Sequence, residues 1–168
     1  GVTTCNKVKV VGMPRLDEML SLTDNFNQHL NKDITLVSFH KDLNSLDEKT
    51  LQNIEQFKKP NLSNLWWDLH TLFFEMAIDF PNIQFNIKTK GNFNDIFWMK
   101  ELLKKNRKFQ NISNIKIIHG GPIKEIIKKS YMICGIHSTA LLEAIAANKK
   151  ILILKNSETH KYSEHLID

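Results

Sequence analysis

The feature that most constrains the fold of this chain is an alternation. Short apolar, β-branched runs recur near residues 7–11, 34–39, 84–89, 114–118, 131–136 and 150–154, and the stretches between them carry helical periodicity. The run Ile34-Thr-Leu-Val-Ser-Phe39 is nearly uninterrupted, as in a strand buried on both faces of a parallel sheet. Between the runs, Leu16 to Leu30 places apolar residues on one helical face, and Ser45-Leu-Asp-Glu48 is a capping box opening a helix that Pro60 stops. Asn64 to Asp79 and Asn94 to Lys108 read as two further helices, the second with Ile96, Phe97, Leu102 and Leu103 turned inward. Gly120-Gly-Pro122 opens a short helix with proline at its first position, and Ser138 to Ala147 is the last helix. Parallel strands need a crossover where antiparallel ones need only a tight turn. The pattern therefore predicts an α/β fold: a doubly wound, mostly parallel sheet with helices on both faces.

A length of 168 residues suits one domain, and a composition of 42% hydrophobic and 24% charged residues excludes disordered and fibrous classes. No apolar run reaches the ~20 residues of a membrane-spanning helix, and the N-terminus lacks the apolar core of a signal peptide. Cys5 and Cys134 stand far apart in no metal-ligand spacing, which predicts reduced thiols and a cytoplasmic protein without zinc. The net charge of +5 comes almost wholly from lysine, Arg15 and Arg107 being the only arginines. It is read as a solvated surface or as one facing an anionic partner: nucleotide, phosphate or bilayer. No aromatic-interleaved basic stripe or helix-turn-helix pattern points to nucleic acid. The start at GVTT and the stop at SEHLID, just past an apolar run, read as the ends of a fragment.

Ligands of doubly wound sheets bind beyond the carboxyl ends of the strands. The polar residues expected there are Arg15, Ser38 to Lys41 (including His40), Lys88 to Gly91, His119 to Gly121 (including Gly120), and His137 to Thr139. The most informative stretch is Cys134-Gly-Ile-His137-Ser138-Thr139-Ala-Leu-Leu-Glu143-Ala-Ile-Ala-Ala-Asn148. A strand ends, a Ser–Thr pair caps a helix, and the helix is apolar nearly all round, hence buried. Its N-terminus would offer free N–H groups and a positive dipole end to an anion at the sheet edge. Glu143 is the one charged residue of that helix, and a buried carboxylate needs a partner: a lysine or arginine, or the two hydroxyls of a ribose. His119 and His40 read as loop histidines without a visible partner, and His160 and His165 are organised by nothing nearby. At least two of Trp66, Trp67 and Trp98 read as packing, with Trp66 or Trp67 a candidate contact to a neighbouring domain.

The run from His137 to Leu152 resembles the nucleotide-sugar motif in the C-terminal domain of GT-B glycosyltransferases: a Ser/Thr cap, an "ALLEA" helix and a following strand, as in lipid-A-disaccharide synthase and capsule transferases. Val11-Gly-Met-Pro-Arg-Leu-Asp17 is similar to the "GxPRxD" start of that domain in surface carbohydrate biosynthesis proteins and CDP-glycerol glycerophosphotransferases. Phe85-Asn-Ile-Lys88-Thr-Lys90 sits where those families carry "IKxHP", with Gly91-Asn92 in place of the histidine and proline.

The resemblance implies a Rossmann-like half of a GT-B fold, residues 1–168 forming the donor-nucleotide domain of a longer two-domain protein whose N-terminal acceptor domain is absent. It implies that Ser138 and Thr139, with Lys88 and Arg15, hold the diphosphate of a nucleotide-diphosphate sugar or CDP-polyol, and that Glu143 holds the ribose. Ser38, His40, His119, Gly120 and His137 would complete the cleft. The implied activity is glycosyl transfer in bacterial surface-polysaccharide or capsule synthesis, without cofactor or metal, in the cytoplasm or peripheral at the inner membrane. The alternatives are polyol-phosphate transfer and a non-catalytic scaffold of the same fold. Epimerisation of the nucleotide sugar would need acid and base carboxylates that the sequence does not offer. The chain alone is expected to bind nucleotide weakly and to transfer nothing.

Overall fold

The computed structural model describes residues 14–21, 33–39, 62–91, 93–136 and 138–154. In chain order the elements are α1 (Pro14–Leu20), β1 (Ile34–Val37), α2 (Leu62–Asp79), β2 (Phe85–Lys88), α3 (Phe93–Lys105), a 3-10 turn (Arg107–Phe109), β3 (Ile115–Ile118), α4 (Ile123–Lys129), β4 (Met132–Gly135), α5 (Thr139–Ala146) and β5 (Lys150–Ile153). The five strands form one sheet in the order β3-β2-β1-β4-β5, every pair parallel. This is a Rossmann-like α/β arrangement, and β1 lies at its centre. The expected run at 7–11 and the helix after Ser45 lie outside the described residues.

The register has no stagger. Ile34 pairs with Phe85 and Met132, Phe85 with Ile115, and Met132 with Lys150. The carboxyl ends of the strands therefore finish level with one another along one edge.

Alternation of side chains across the strands loads the two faces differently. Leu36, Phe85, Ile87 and Cys134 point to the side covered by α2 and α3, where Trp66, Phe73, Phe74, Met99 and Phe109 fill the space. Val37, Ile133, Ile151 and Ile153 point to the other side, where Met19 of α1, Ile127 of α4 and Ala140, Leu141 and Ala144 of α5 meet them. Helices thus cover both faces.

Three local devices set the element ends. Asn114 donates through its one side-chain amide to the carbonyls of Ala77, Phe80 and Ile83, so it closes the C-terminus of α2. After α5, Asn148 takes a left-handed φ of 52° while its N–H bonds Ile145 and that of Lys149 bonds Ala144. That pairing is a Schellman motif with asparagine in glycine's usual place. Pro122, expected as the first helical residue, is instead the N-cap of α4, which starts one position later at Ile123.

Two faces differ from the sequence reading. On α3 the inward residues are Asp95, Met99, Leu102 and Leu103, while Phe97 is 56% exposed and rests edge-on against Trp98. Helical spacing puts 95, 99 and 102 on one stripe, and Phe97 falls half a turn away from 95. On α5 the outer side is open: Thr139 is exposed and Ile145 is 50% exposed, because no described element lies above it.

Candidate functional site

Five short segments meet at the level carboxyl edge: Ser38 and Phe39 after β1, Thr89 to Gly91 after β2, His119 to Pro122 after β3, Ile136 and Ser138 after β4, and Leu154 after β5. The sequence-expected residues His40 and His137 lie outside the described ones. The others fall into three groups rather than one.

The first group is on α5. Ser138 accepts a hydrogen bond on Oγ from the Ala140 N–H at 3.3 Å, so it serves its own helix as N-cap. One turn further in, Glu143 is 2% exposed. Its Oε1 lies 2.9 Å from Nη2 of Arg15, whose side chain is 66% exposed. Its Oε2 is buried and meets no hydrogen-bond donor among the described residues. Among the described residues the carboxylate is therefore half satisfied: one oxygen takes the cation that α1 lends across the helix pair, and the other meets no donor. A buried acceptor left without its bond carries its full desolvation cost. Arg15 thus meets Glu143 directly.

The second group is on β2 and β3. Lys88 is on the face of Val37, nearly buried, and its Nζ donates to the carbonyls of Thr89 (3.1 Å) and Gly120 (2.8 Å). Burial holds its pKa below the usual lysine range. The amine thus turns toward the β3 loop, away from β4 and α5. Gly120 and Gly121 both adopt left-handed φ, 68° and 74°, which brings the Gly120 carbonyl over the end of β2 at little steric cost. Beside it Thr89 and His119 share a 3.2 Å contact through Oγ1 and Nδ1. Lys90 is exposed.

The third group was not legible as a group. Ser38 Oγ lies 3.0 Å from Nε2 of His70, and His70 Nδ1 lies 2.7 Å from the Trp66 carbonyl. The carbonyl only accepts, so Nδ1 carries the proton and the Ser38 hydroxyl donates to Nε2. His70 stacks on Trp66 with ring centroids 4.0 Å apart, and Trp66 Nε1 donates to the Phe39 carbonyl. Burial pushes the His70 pKa down to about 4, so the ring is neutral at physiological pH. Both Ser38 and His70 are buried, and the unit locks α2 to the end of β1. Sequence reasoning missed His70; the signal that could have found it is its place on the stripe of Trp66, Phe73 and Ala77.

Trp66 is fully buried, which removes it as a contact to another domain, and Trp67 stands between Trp66 and Trp98. Cys134 is a buried free thiol whose pKa burial raises to about 12, too high for a nucleophile.

No protein-family model matches this chain, and neither does any curated protein. Among the described residues no group of His, Cys, Asp or Glu is arranged to hold a metal ion, and no helix is long and apolar enough to cross a membrane. What the edge can do chemically is bind. It offers a buried acceptor on α5, the capped helix start before it, and a lysine amine whose partners among the described residues are carbonyls.

Proposed function

We propose that this chain is the donor-binding domain of a nucleotide-sugar transferase acting in surface-polysaccharide synthesis. The observation that carries the reading is the buried Oε2 of Glu143, which has no donor among the described residues, one turn into a helix that starts at the carboxyl edge of the sheet. A ribose hydroxyl would supply the missing donor. Arg15, held through Oε1, would stand beside the diphosphate as its cation. Ser138 and Thr139 begin the helix whose positive end favours such a group. The motif resemblance of the α1 start and of α5 supports the same reading. Polyol-phosphate transfer from a CDP-polyol would use the same nucleotide site.

A scaffold without catalysis is the second reading, and the Arg15–Glu143 ion pair favours it, since each group already has a partner in the other. Melting with UDP, CDP, CMP and GDP separates the two. A ligand that binds the folded state raises the melting temperature by mass action. The donor-site reading expects a shift with at least one nucleotide, and a loss of roughly 1.5–3 kcal/mol of affinity in Glu143→Gln, the scale of a hydrogen bond to a charged group. No shift with any of the four at millimolar concentration selects the scaffold.

A further inference from the structure

The two helices over the aromatic face of the sheet carry opposite charge. Along α2 the charged residues are Asp68, Glu75 and Asp79, all exposed, with no lysine or arginine. Residues 94–110 hold five cations (Lys100, Lys104, Lys105, Arg107, Lys108) against two acids, a net +3 out of the chain's +5. One of those acids, Asp95, is buried, and the other, Glu101, lies 3.9 Å from Lys104. The cations remain in water: Lys100, Lys104, Lys105, Arg107 and Lys108 are all exposed.

Apolar surface is interleaved with that charge. Phe97, Lys100 and Lys104 fall on one stripe of α3, since three and seven residues bring a helix back to nearly the same side. Phe97 is among the most exposed large apolar side chains described. Past the end of the stripe lies an open hollow of about 400 Å³ between α3, the 3-10 turn and the edge strand β3. Its walls include Leu103, Phe109, Ile112, Ile115 and Ile117, and Lys104 stands at its margin. Lys105, Arg107 and Lys108 belong to the same 103–110 segment that walls it.

We propose that this α3 face, from Phe97 to Lys108, docks on an anionic lipid bilayer. Charge complementarity selects the partner. The cations would sit at the headgroup level, Phe97 would enter the acyl boundary, and the hollow would shelter apolar parts of the lipid. Interfacial binding scales with buried apolar area plus attraction to anionic lipid, and this face supplies both on one side of the molecule. The acidic face of α2 would be turned away from the membrane by the same field. This inference is independent of the nucleotide reading, and its test uses no nucleotide.

Vesicle flotation of the full chain tests it, with phosphatidylcholine vesicles compared with vesicles holding one third phosphatidylglycerol. The protein should float with the anionic vesicles at low salt, stay behind with the neutral ones, and be released by 0.5 M NaCl, a probe concentration that shrinks the Debye length to roughly 4 Å. Neutralising four cations (Lys104→Gln, Lys105→Gln, Arg107→Gln, Lys108→Gln) should lower the partition coefficient by roughly a thousandfold, from about 1 kcal/mol per basic residue near the surface. Phe97→Ser should lower it by about tenfold through lost apolar burial, and its exposure makes it safe for the fold. Absence of flotation with anionic vesicles overturns the proposal, as does equal flotation with neutral ones. Retention on dextran sulfate that Phe97→Ser leaves unchanged, with no flotation, assigns the face to a soluble polyanion and also overturns it.

Discussion

The two layers that sandwich the sheet are built from different materials. Under α2 and α3 the space is filled by large rings, Trp66, Phe73, Phe74, Phe85 and Phe109, several of them in edge-to-face contact. Under α1, α4 and α5 it is filled by alanine, isoleucine and leucine, with polar groups set among them: Thr35 and Ser130 share a 2.6 Å hydrogen bond, Lys88 reaches Gly120, and Glu143 meets Arg15. The difference teaches where each property resides. The ring-filled layer supplies most of the apolar burial, which scales with area removed from water. The thin layer lets helices approach closely, and it holds Lys88, Arg15 and Glu143, while the Ser38–His70 pair belongs to the ring-filled side. Its helices are tied by ion pairs (Arg15 to Glu143, Lys124 to Glu18) and by Lys149, which donates to the carbonyls of Lys128 and Ser130 at the end of α4.

The sharpest way to break this contrast is to empty the thick layer. Trp66→Ala should destabilise the fold by about 3–5 kcal/mol in urea unfolding, the scale for a buried aromatic truncated to alanine. A loss below ~1.5 kcal/mol would mean that the rings are not where the stability lies.

The next effect is a pH dependence seated in the same layer. His70 has a folded pKa near 4, below the ordinary 6.5 that it regains on unfolding. The unfolded chain therefore binds the proton first. Stability from this group is whole above about pH 6.5 and declines as the pH falls toward 4, by roughly 3 kcal/mol across that window. Urea midpoints measured from pH 7 to pH 4 should show the decline, and His70→Gln should flatten it. An equal slope in the variant would assign the acid sensitivity elsewhere.

The smallest of the three effects probes the thin layer. Arg15→Gln strands the Glu143 carboxylate, but the guanidinium that it loses was largely in water, so the cost should be about 1–2 kcal/mol. Glu143→Gln, which leaves Arg15 to the solvent, should cost less. If Glu143→Gln proved the more damaging of the two, the ion pair would be a structural element of the same rank as the aromatic core.

The sequence made the scaffold legible because strand and helix periods are local. Five of the six expected strands lie among the described residues, each shorter by one or two residues where the apolar run outlasts the ladder; β1 and β5 begin, and β3 ends, at the expected residue. The candidate site was legible residue by residue but not in its pairings. Ser38 was singled out without His70, which lies 32 positions later; Arg15 and Glu143 were both named for a ligand and meet each other. Lys88 was placed with the phosphates, yet its amine is turned by a carbonyl from the two-glycine loop of β3. Phe97 was assigned inward because hydrophobicity alone does not say which of two adjacent stripes a helix buries. All four depend on which strand lies beside which, and no local period encodes that.

The strand order also has a consequence for how the molecule is made. β1 sits at the centre of the sheet, and one of its two neighbours, β4, pairs Met132 with Ile34, 98 positions apart (132 − 34). As the chain emerges during synthesis, β1, β2 and β3 can zip together while the other flank of β1 still shows a row of unpaired amides and carbonyls. Such an edge is a template for the wrong strand until β4 arrives. Long-range parallel pairing of this kind closes slowly. A half-sheet of β1, β2 and β3 formed on the nascent chain would leave its first strand open on one side, and the speed of elongation past β4 would set how long that interval lasts.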